Sequence, residues 1–435
     1  MARGSGSPLN VAIIGGGIGG LFAAHALHHH CQGKVEINVY EQASEYKEIG
    51  AGVGIGVNAA KLVHKIGLGD EMNKVAGHRN GIWISFRRFD TGNEIVTIPL
   101  NDKAHIRQAP CARSDFLDLL RVPIEERNIA TLHTKKRLSR LEDRGESVWL
   151  SFGDGTAAEA DVVIGADGIH SAVRNHFKRD SPIYSGRVAY RGTVPIKDIE
   201  PWWPLPSYSA MWCGKGGHFL VFPIARNKSL NIVAFHNTNA QAAEAVAESW
   251  VSTCKRQEVE EAYKDFEPTV QKLIALMPAE PSRWKINDRE PLDQWNYFGG
   301  KVILLGDAAH AMLPHLGAGA GQAIEDGWVL GRALGELVHG TDATHCGSLE
   351  ACAAFYQKVR LPRTQKVQAK SRIAGACYDM KSPEMGGKPY DECVPIAAKQ
   401  ISEQMQFVWE AELDAIYDEA KHSPHSTKNG VQEQQ

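Results

Sequence analysis

Three short apolar runs, each ending in glycine, divide this chain. Val11-Ala12-Ile13-Ile14 is apolar and mostly β-branched, which suits a strand buried on both faces of a parallel sheet. Glycines at 15, 16, 17, 19 and 20 follow, and Leu21-Phe22-Ala23-Ala24-His25-Ala26-Leu27 continues at helical spacing. A second strand is predicted over residues 35 to 40, with Glu41 at its end. Asp161-Val162-Val163-Ile164 runs into Gly165-Ala166-Asp167-Gly168, and Val302-Ile303-Leu304-Leu305 runs into Gly306-Asp307. The second and third runs each set a carboxylate, Asp167 and Asp307, at the C-terminal end of a strand, where open α/β sheets hold their ligands.

Between the second and third runs the texture changes. Residues 188 to 194, 209 to 213, 218 to 223 and 230 to 236 read as strands. The connections between the last three are too short for the crossover helix a parallel pair requires, so an antiparallel sheet is predicted. Residues 81 to 100 alternate in part and read as further strands. Residues 148 to 160 form a hairpin signal around Asp154-Gly155.

Helices are predicted at residues 58 to 68, closed by Gly67, and from Ala112 onward with Ser114 as N-cap. Residues 239 to 277 read as amphipathic helices, 323 to 338 as a helix with Ala323, Leu330, Leu334 and Leu337 on one side, and 349 to 376 as another. On that last helix Arg360, Arg363, Lys366, Lys370 and Arg372 mark a solvated face. Residues 405 to 420 form a terminal helix, and the polar tail 421 to 435 is expected to be disordered.

The first glycine turn carries candidate chemistry. Gly15, Gly17 and Gly20 make G-x-G-x-x-G between a strand and a helix, with Ile18 inside the turn. Glu41, about 20 residues beyond the last glycine, is placed to accept hydrogen bonds from ribose hydroxyls, with Gln42 beside it. Such a turn admits a pyrophosphate to the helix N-terminus, so a dinucleotide site is predicted; the glycines leave NAD and FAD both open. Gly54, Gly56 and Ala59 loosely repeat the fingerprint without a buried strand before them. The reading kept for residues 48 to 59, Gly52 and Val53 included, is a loop close to a flat ligand. Pro314-His315-Leu316-Gly317-Ala318-Gly319-Ala320-Gly321 is a small-residue loop feeding a helix, a cradle for a planar anion or else a glycine linker. Arg113 either binds an anionic ligand or sits exposed at the surface.

With 435 residues, 43% hydrophobic, the chain can build two or three domains. A net charge of −3 without long basic runs points away from nucleic acid and anionic membranes. No apolar stretch reaches membrane-spanning length and no signal-peptide core precedes residue 8, so a cytoplasmic protein, monomer or homodimer, is expected. The eight cysteines form no C-x-x-C, and no metal is expected.

The glycine fingerprint with Glu41, the Gly165-Ala166-Asp167-Gly168 motif, and Gly306-Asp307-Ala308-Ala309-His310 with its following loop occur here in the order seen in the class A flavoprotein monooxygenases, the FAD-dependent aromatic hydroxylases. The chain resembles that family over about residues 10 to 375. The runs 302 to 315 and 217 to 223 look most like salicylate hydroxylases. The resemblance implies a Rossmann-like α/β FAD-binding domain (residues 9–80, 111–182 and 291–345), an inserted antiparallel-sheet substrate domain (81–110 and 183–290), and C-terminal helices (346–420). It implies FAD held by Gly15, Gly17, Ile18, Gly20, Glu41, Gln42, Gly52, Val53, Arg113, Asp167, Asp307, Pro314, Gly317, Ala318, Gly319 and Ala320. NADH or NADPH would bind only transiently, as reductant for reaction with O₂. A small phenol or hydroxybenzoate would be hydroxylated through a flavin hydroperoxide; for salicylate, CO₂ is lost and catechol formed. His218, His315 and Arg191 are the candidate catalytic groups, and Trp83, Met211, Phe222 and Phe235 the candidate substrate lining. Phe222 stands where some relatives have a tyrosine, so no phenol acts there. Other chemistry on the same scaffold and a non-catalytic flavoprotein ligand sensor are the alternatives.

Overall fold

The computed structural model describes residues 7–46, 52–78, 80–100, 104–238, 252–404 and 406–423. Leu9–Ile14 is the hub of a six-stranded sheet, ordered Asn296–Tyr297, Val302–Leu304, Val162–Gly165, Leu9–Ile14, Val35–Tyr40, Thr131–His133. Val11 lies opposite both Val162 and Ile37 in parallel register, and Val163 opposite Val302. Apolar on both faces, these strands are buried as their composition requires. Because they end level, Gly15, Asp167 and Asp307, 292 residues apart at the extremes, come to one edge of the sheet.

One helix lies on this sheet and a second packs along the first. Ile18–Cys31 packs along Gly319–His339, and Gly327, Gly331 and Gly335 sit where a Cβ would meet Ala23, Ala26 and the carbonyl of His30 at 3.2 Å or less. Glycine at every fourth position thus lets the helix axes approach closely, and both helices start at the sheet edge that carries Gly15. The second starts earlier than expected: Gly319, Ala320 and Gly321 form its first turn, so the loop before it stops at Ala318.

The second sheet has seven strands, ordered Ser282–Asp288, Ile183–Pro195, Ser229–Asn237, Gly217–Ile224, Ala210–Gly214, Ile82–Arg88, Glu94–Pro99. It is antiparallel except between Ala210–Gly214 and Ile82–Arg88, which run parallel because they come from separate segments of the chain. The hairpin forms, Val148–Phe152 against Ala157–Ala160, and Leu138–Asp143 extends it to three strands. Helices Arg256–Ala262 and Pro268–Ala275 cover this part of the chain, while residues 239 to 251 lie outside those described.

Four expectations fail. Ala112, with no side-chain bond, precedes helix Arg113–Glu126, so Ser114 is inside the helix and is not its N-cap. Residues 52 to 55, expected as loop, form strand Gly52–Ile55 paired with Ala109–Ala112, while residues 390 to 404 form a helix within the C-terminal helices expected over 346–420. The terminal helix is broken into Gln406–Trp409 and Leu413–His422. Trp409 turns to pack on Trp83, at 5.2 Å between ring centres, whereas Asp414 bonds Trp328 at 2.8 Å, and the two contacts pull on different sides of the chain. Lys421 and His422, expected in a disordered tail, belong to helix Leu413–His422, with Lys421 paired to Glu336 and Asp342, while residues 405 and 424–435 lie outside the described residues.

The supposed solvated face of Leu349–Tyr378 is a correction too. Arg360 is wholly buried: its Nε donates to Asp326 at 2.7 Å, one Nη bonds Glu325, and another donates to Gln322 at 2.8 Å. Arg363 donates to Glu325 at 2.7 and 2.8 Å. Two acids on Gly319–His339 meet these cations, a pairing between helices that no local pattern reveals.

Candidate active site

A cleft of about 720 Å³ runs from the sheet edge at Gly15 to the face of the seven-stranded sheet. At one end lie Gly15, Gly17, Ile18, Glu41, Gln42 and Arg113, then Asp167 and Asp307; Gly52, Val53 and the loop Pro314, Gly317, Ala318, Gly319, Ala320 line its middle. Gly20 is not in the lining. Its Cβ would fall on the carbonyl oxygen of Gly15, so this glycine serves the packing of helix on turn.

Each carboxylate at this end does something different. Glu41 accepts from the N–H of Gly16 at 2.7 Å and of Ala43 at 2.8 Å, holding the glycine turn while keeping lone pairs for a hydroxyl ligand. Asp167 is engaged by the Ser171 hydroxyl and by the N–H groups of Ala172 at 2.7 Å and Val173 at 3.1 Å, so it anchors the helix that follows. Asp307 projects into the cleft. It is exposed to the cleft, and desolvation by the neighbouring protein raises its carboxyl pKa against the pull of His310 and Arg113. Behind it, Asp326 accepts from the N–H of Gly306 at 3.0 Å and bonds His310 Nε2 at 2.6 Å. Burial opposes the charge on Asp326, but His310 and Arg360 win and hold its pKa at about 2.

The residues present fit FAD. Both helices start at the cleft with no side-chain cap and no acid in the first turn, leaving N–H donors and partial positive charge for a pyrophosphate and for an anionic ring. At Gly17, Gly317 and Gly319 a Cβ would find nothing within 4 Å, so a ligand can lie on the backbone there.

The far end is an apolar slot. Met211, Phe222 and Phe235 line it from the sheet, and each is less than 9% exposed; Trp83 lies against Trp409. Arg191 stacks its guanidinium on Trp284, 4.4 Å from the ring centre. His315 closes the slot from the loop, and both its ring nitrogens are buried without a hydrogen-bond partner. Burial, with His218 and Arg187 adding to it, drives its pKa well below 6.5, so the ring is a neutral acceptor.

His218 does not line the cleft. It is fully buried behind Phe235, on which it stacks at 4.6 Å, and its Nδ1 bonds Asp379 at 2.7 Å. Direct contact with a ligand is thus closed to it. Trp284, Leu313, Tyr378 and Trp409 line the slot without having been singled out. Alternation over residues 282 to 288 was the signal for Trp284; Tyr378 and Trp409 arrive from distant helices and had none.

A model of the family described as FAD binding domain matches residues 8–370. A salicylate hydroxylase of Pseudomonas putida is 31% identical over 432 residues, covering 95% of each chain. The chain belongs to the FAD-dependent aromatic hydroxylases. This chain is also 36% identical over 384 residues to a 6-methylsalicylate 1-monooxygenase of Aspergillus terreus, covering 84% of this chain and 82% of that one. A solved salicylate hydroxylase substrate complex superposes with a TM-score of 0.81 at 30% identity, covering 97% of this chain and 100% of that one. All eight cysteines of the hydroxylase are free thiols. Among the described residues, His64, Asp70 and His105 form one group of metal-ligand types, and it does not line the cleft. Nor is any described helix long and apolar enough to cross a membrane.

Proposed function

We propose that this hydroxylase converts a salicylate-type acid to the corresponding catechol: the aryl carboxylate leaves as CO₂ while NAD(P)H and O₂ are consumed. The observation that carries the reading is the slot's inventory, flat apolar walls with a stacked arginine and a neutral histidine. Its two relatives named for salicylate and 6-methylsalicylate support the same choice. FAD, when bound, supplies the redox chemistry between NAD(P)H, O₂ and the ring.

The chain's residues supply the rest. Arg191, held flat on Trp284, faces the slot with a charge suited to a carboxylate. Met211, Phe222 and Phe235 sandwich the ring and exclude water. Neutral His315 accepts the phenolic proton, which makes the ring a stronger nucleophile. Gly52 stands against Phe222, where a Cβ would come within 2.5 Å of the ring, and its N–H donates to Asn231 at 2.9 Å. Strand Gly52–Ile55, which lines the middle of the cleft, is thereby fastened to the substrate sheet.

The test is a panel of aryl acids scored for stimulated NADH or NADPH oxidation, with product and CO₂ measured together. Salicylate giving catechol and CO₂ in equal amounts is expected. No response to salicylate, with turnover of another phenol and no CO₂, overturns the reading.

A further inference from the structure

His218 lies behind the slot, yet its ring is in contact with that of His315. Their ring centres lie 5.1 Å apart at an interplanar angle of 64°. His315 also packs on Gly375, where a Cβ would sit 2.6 Å from Nε2, so its ring is clamped between loop and helix. Asp379, the residue that ends Leu349–Tyr378, is fully buried and shared: one oxygen bonds His218 Nδ1, and the other accepts from Arg187 Nε, each at 2.7 Å. An ionised carboxylate at Nδ1 keeps the proton on that nitrogen and leaves a lone pair on Nε2. That Nε2 is buried and has no hydrogen-bond partner among the described residues, as is true of both nitrogens of His315. Two adjacent imidazoles thus carry unmet hydrogen-bonding capacity beside a buried anion, a costly arrangement that calls for a role.

We propose that Asp379 is a positioning residue, fixing His218 in the tautomer whose Nε2 can take a proton from His315, so that His315 can accept the phenolic proton of the substrate. The inference rests on the functional reading above. In the step, the phenol O–H bond breaks and an N–H bond forms on His315. The proton on the other nitrogen of His315 passes to His218 Nε2, and the resulting imidazolium is paired with the Asp379 carboxylate. The reverse transfer returns the proton to the product phenolate, so no outside acid or base is consumed.

The charges around the trio favour this assignment. Burial opposes ionisation of Asp379, but His218 and Arg187 hold its pKa at about 2, so it is an anion throughout the working range. Burial lowers the pKa of His218 and of nearby His236, keeping both neutral at rest. Cys213, Cys377, Tyr263 and Tyr378 also face the trio, and burial raises all four so that none carries charge. Arg187 partners the carboxylate, and Lys381 acts on His236 from beyond Asp379.

The test is Asp379→Asn in the FAD-loaded enzyme, read first without turnover. Salicylate, or whichever phenol the enzyme oxidises, is bound without NAD(P)H and its ultraviolet band is followed from pH 6 to 9 as a gauge of phenol ionisation. The wild type is expected to hold phenolate at a pH where the variant holds neutral phenol. In turnover the variant is expected to lose about 10²-fold in kcat near neutrality, with the deficit shrinking as pH rises. Because Arg187 loses its partner in this variant, R187Q/D379N removes both charges together, and FAD content and melting report folding for each. A variant that holds FAD and binds phenolate over the wild-type pH range overturns the proposal, as does an equal loss of kcat at every pH. A wild type that hydroxylates no phenol sinks the functional reading instead.

Discussion

A Cβ on Gly15 would lie 2.9 Å from the Cα of Asp167, and Gly15 itself holds φ at +106°. The turn of the first strand and the end of a strand some 150 residues later therefore touch backbone to backbone, and only glycine admits both the approach and the conformation. Gly15→Ala is expected to cost about 3 kcal/mol through strain and overpacking. It should also yield protein with little bound flavin, read from visible absorbance and urea unfolding.

Asp307 stands in the cleft, so its removal tests binding without disturbing the core. Asp307→Ala is expected to weaken FAD by about 10- to 100-fold, the value of one or two charge-assisted hydrogen bonds. The apoprotein's melting temperature should stay within a degree or two. Titration of apoprotein with FAD, followed by flavin fluorescence, measures the first effect.

Arg360 balances two buried acids, and one of them, Asp326, also holds the N–H of Gly306 at the cofactor edge. Arg360→Met leaves Glu325 and Asp326 underpaired and is expected to destabilise the fold by about 3–5 kcal/mol. Weaker FAD retention should accompany it, because the Gly306 turn loses its brace. Denaturant unfolding gives the first number and gel filtration of the holoenzyme shows the second.

His25 predicts an acid limit. Burial lowers its pKa from 6.5 to about 4, only partly offset by its 2.7 Å contact with the Leu120 carbonyl. The unfolded chain then binds more protons between those values, so stability is complete above pH 6.5 and declines as pH falls toward 4, by at most about 1.4 kcal/mol per unit. Unfolding at pH 7.5 and 5.0 should show a smaller difference in His25→Gln than in the wild type.

Local patterns carried much of this protein. The βαβ unit with Glu41, the two later carboxylate-ended strands and the antiparallel sheet all depend on runs of four to eight residues whose apolar spacing or glycine content suffices. What escaped was pairing across distance. Arg360 looked like a surface cation because its acids belong to another helix, and His218 looked like a residue in direct contact with substrate because its partner Asp379 lies 161 positions on. Trp409 reaches the cleft only because the terminal helix breaks around it, which no periodicity signals.

The central claim is that one cleft holds the cofactor and a phenol together, so that oxygen from O₂ enters the ring. Turnover of salicylate under ¹⁸O₂, with mass spectrometry of the product, tests it most directly. One labelled atom per catechol is the predicted result. Unlabelled product, or oxygen recovered wholly as hydrogen peroxide while NAD(P)H is consumed, would contradict it.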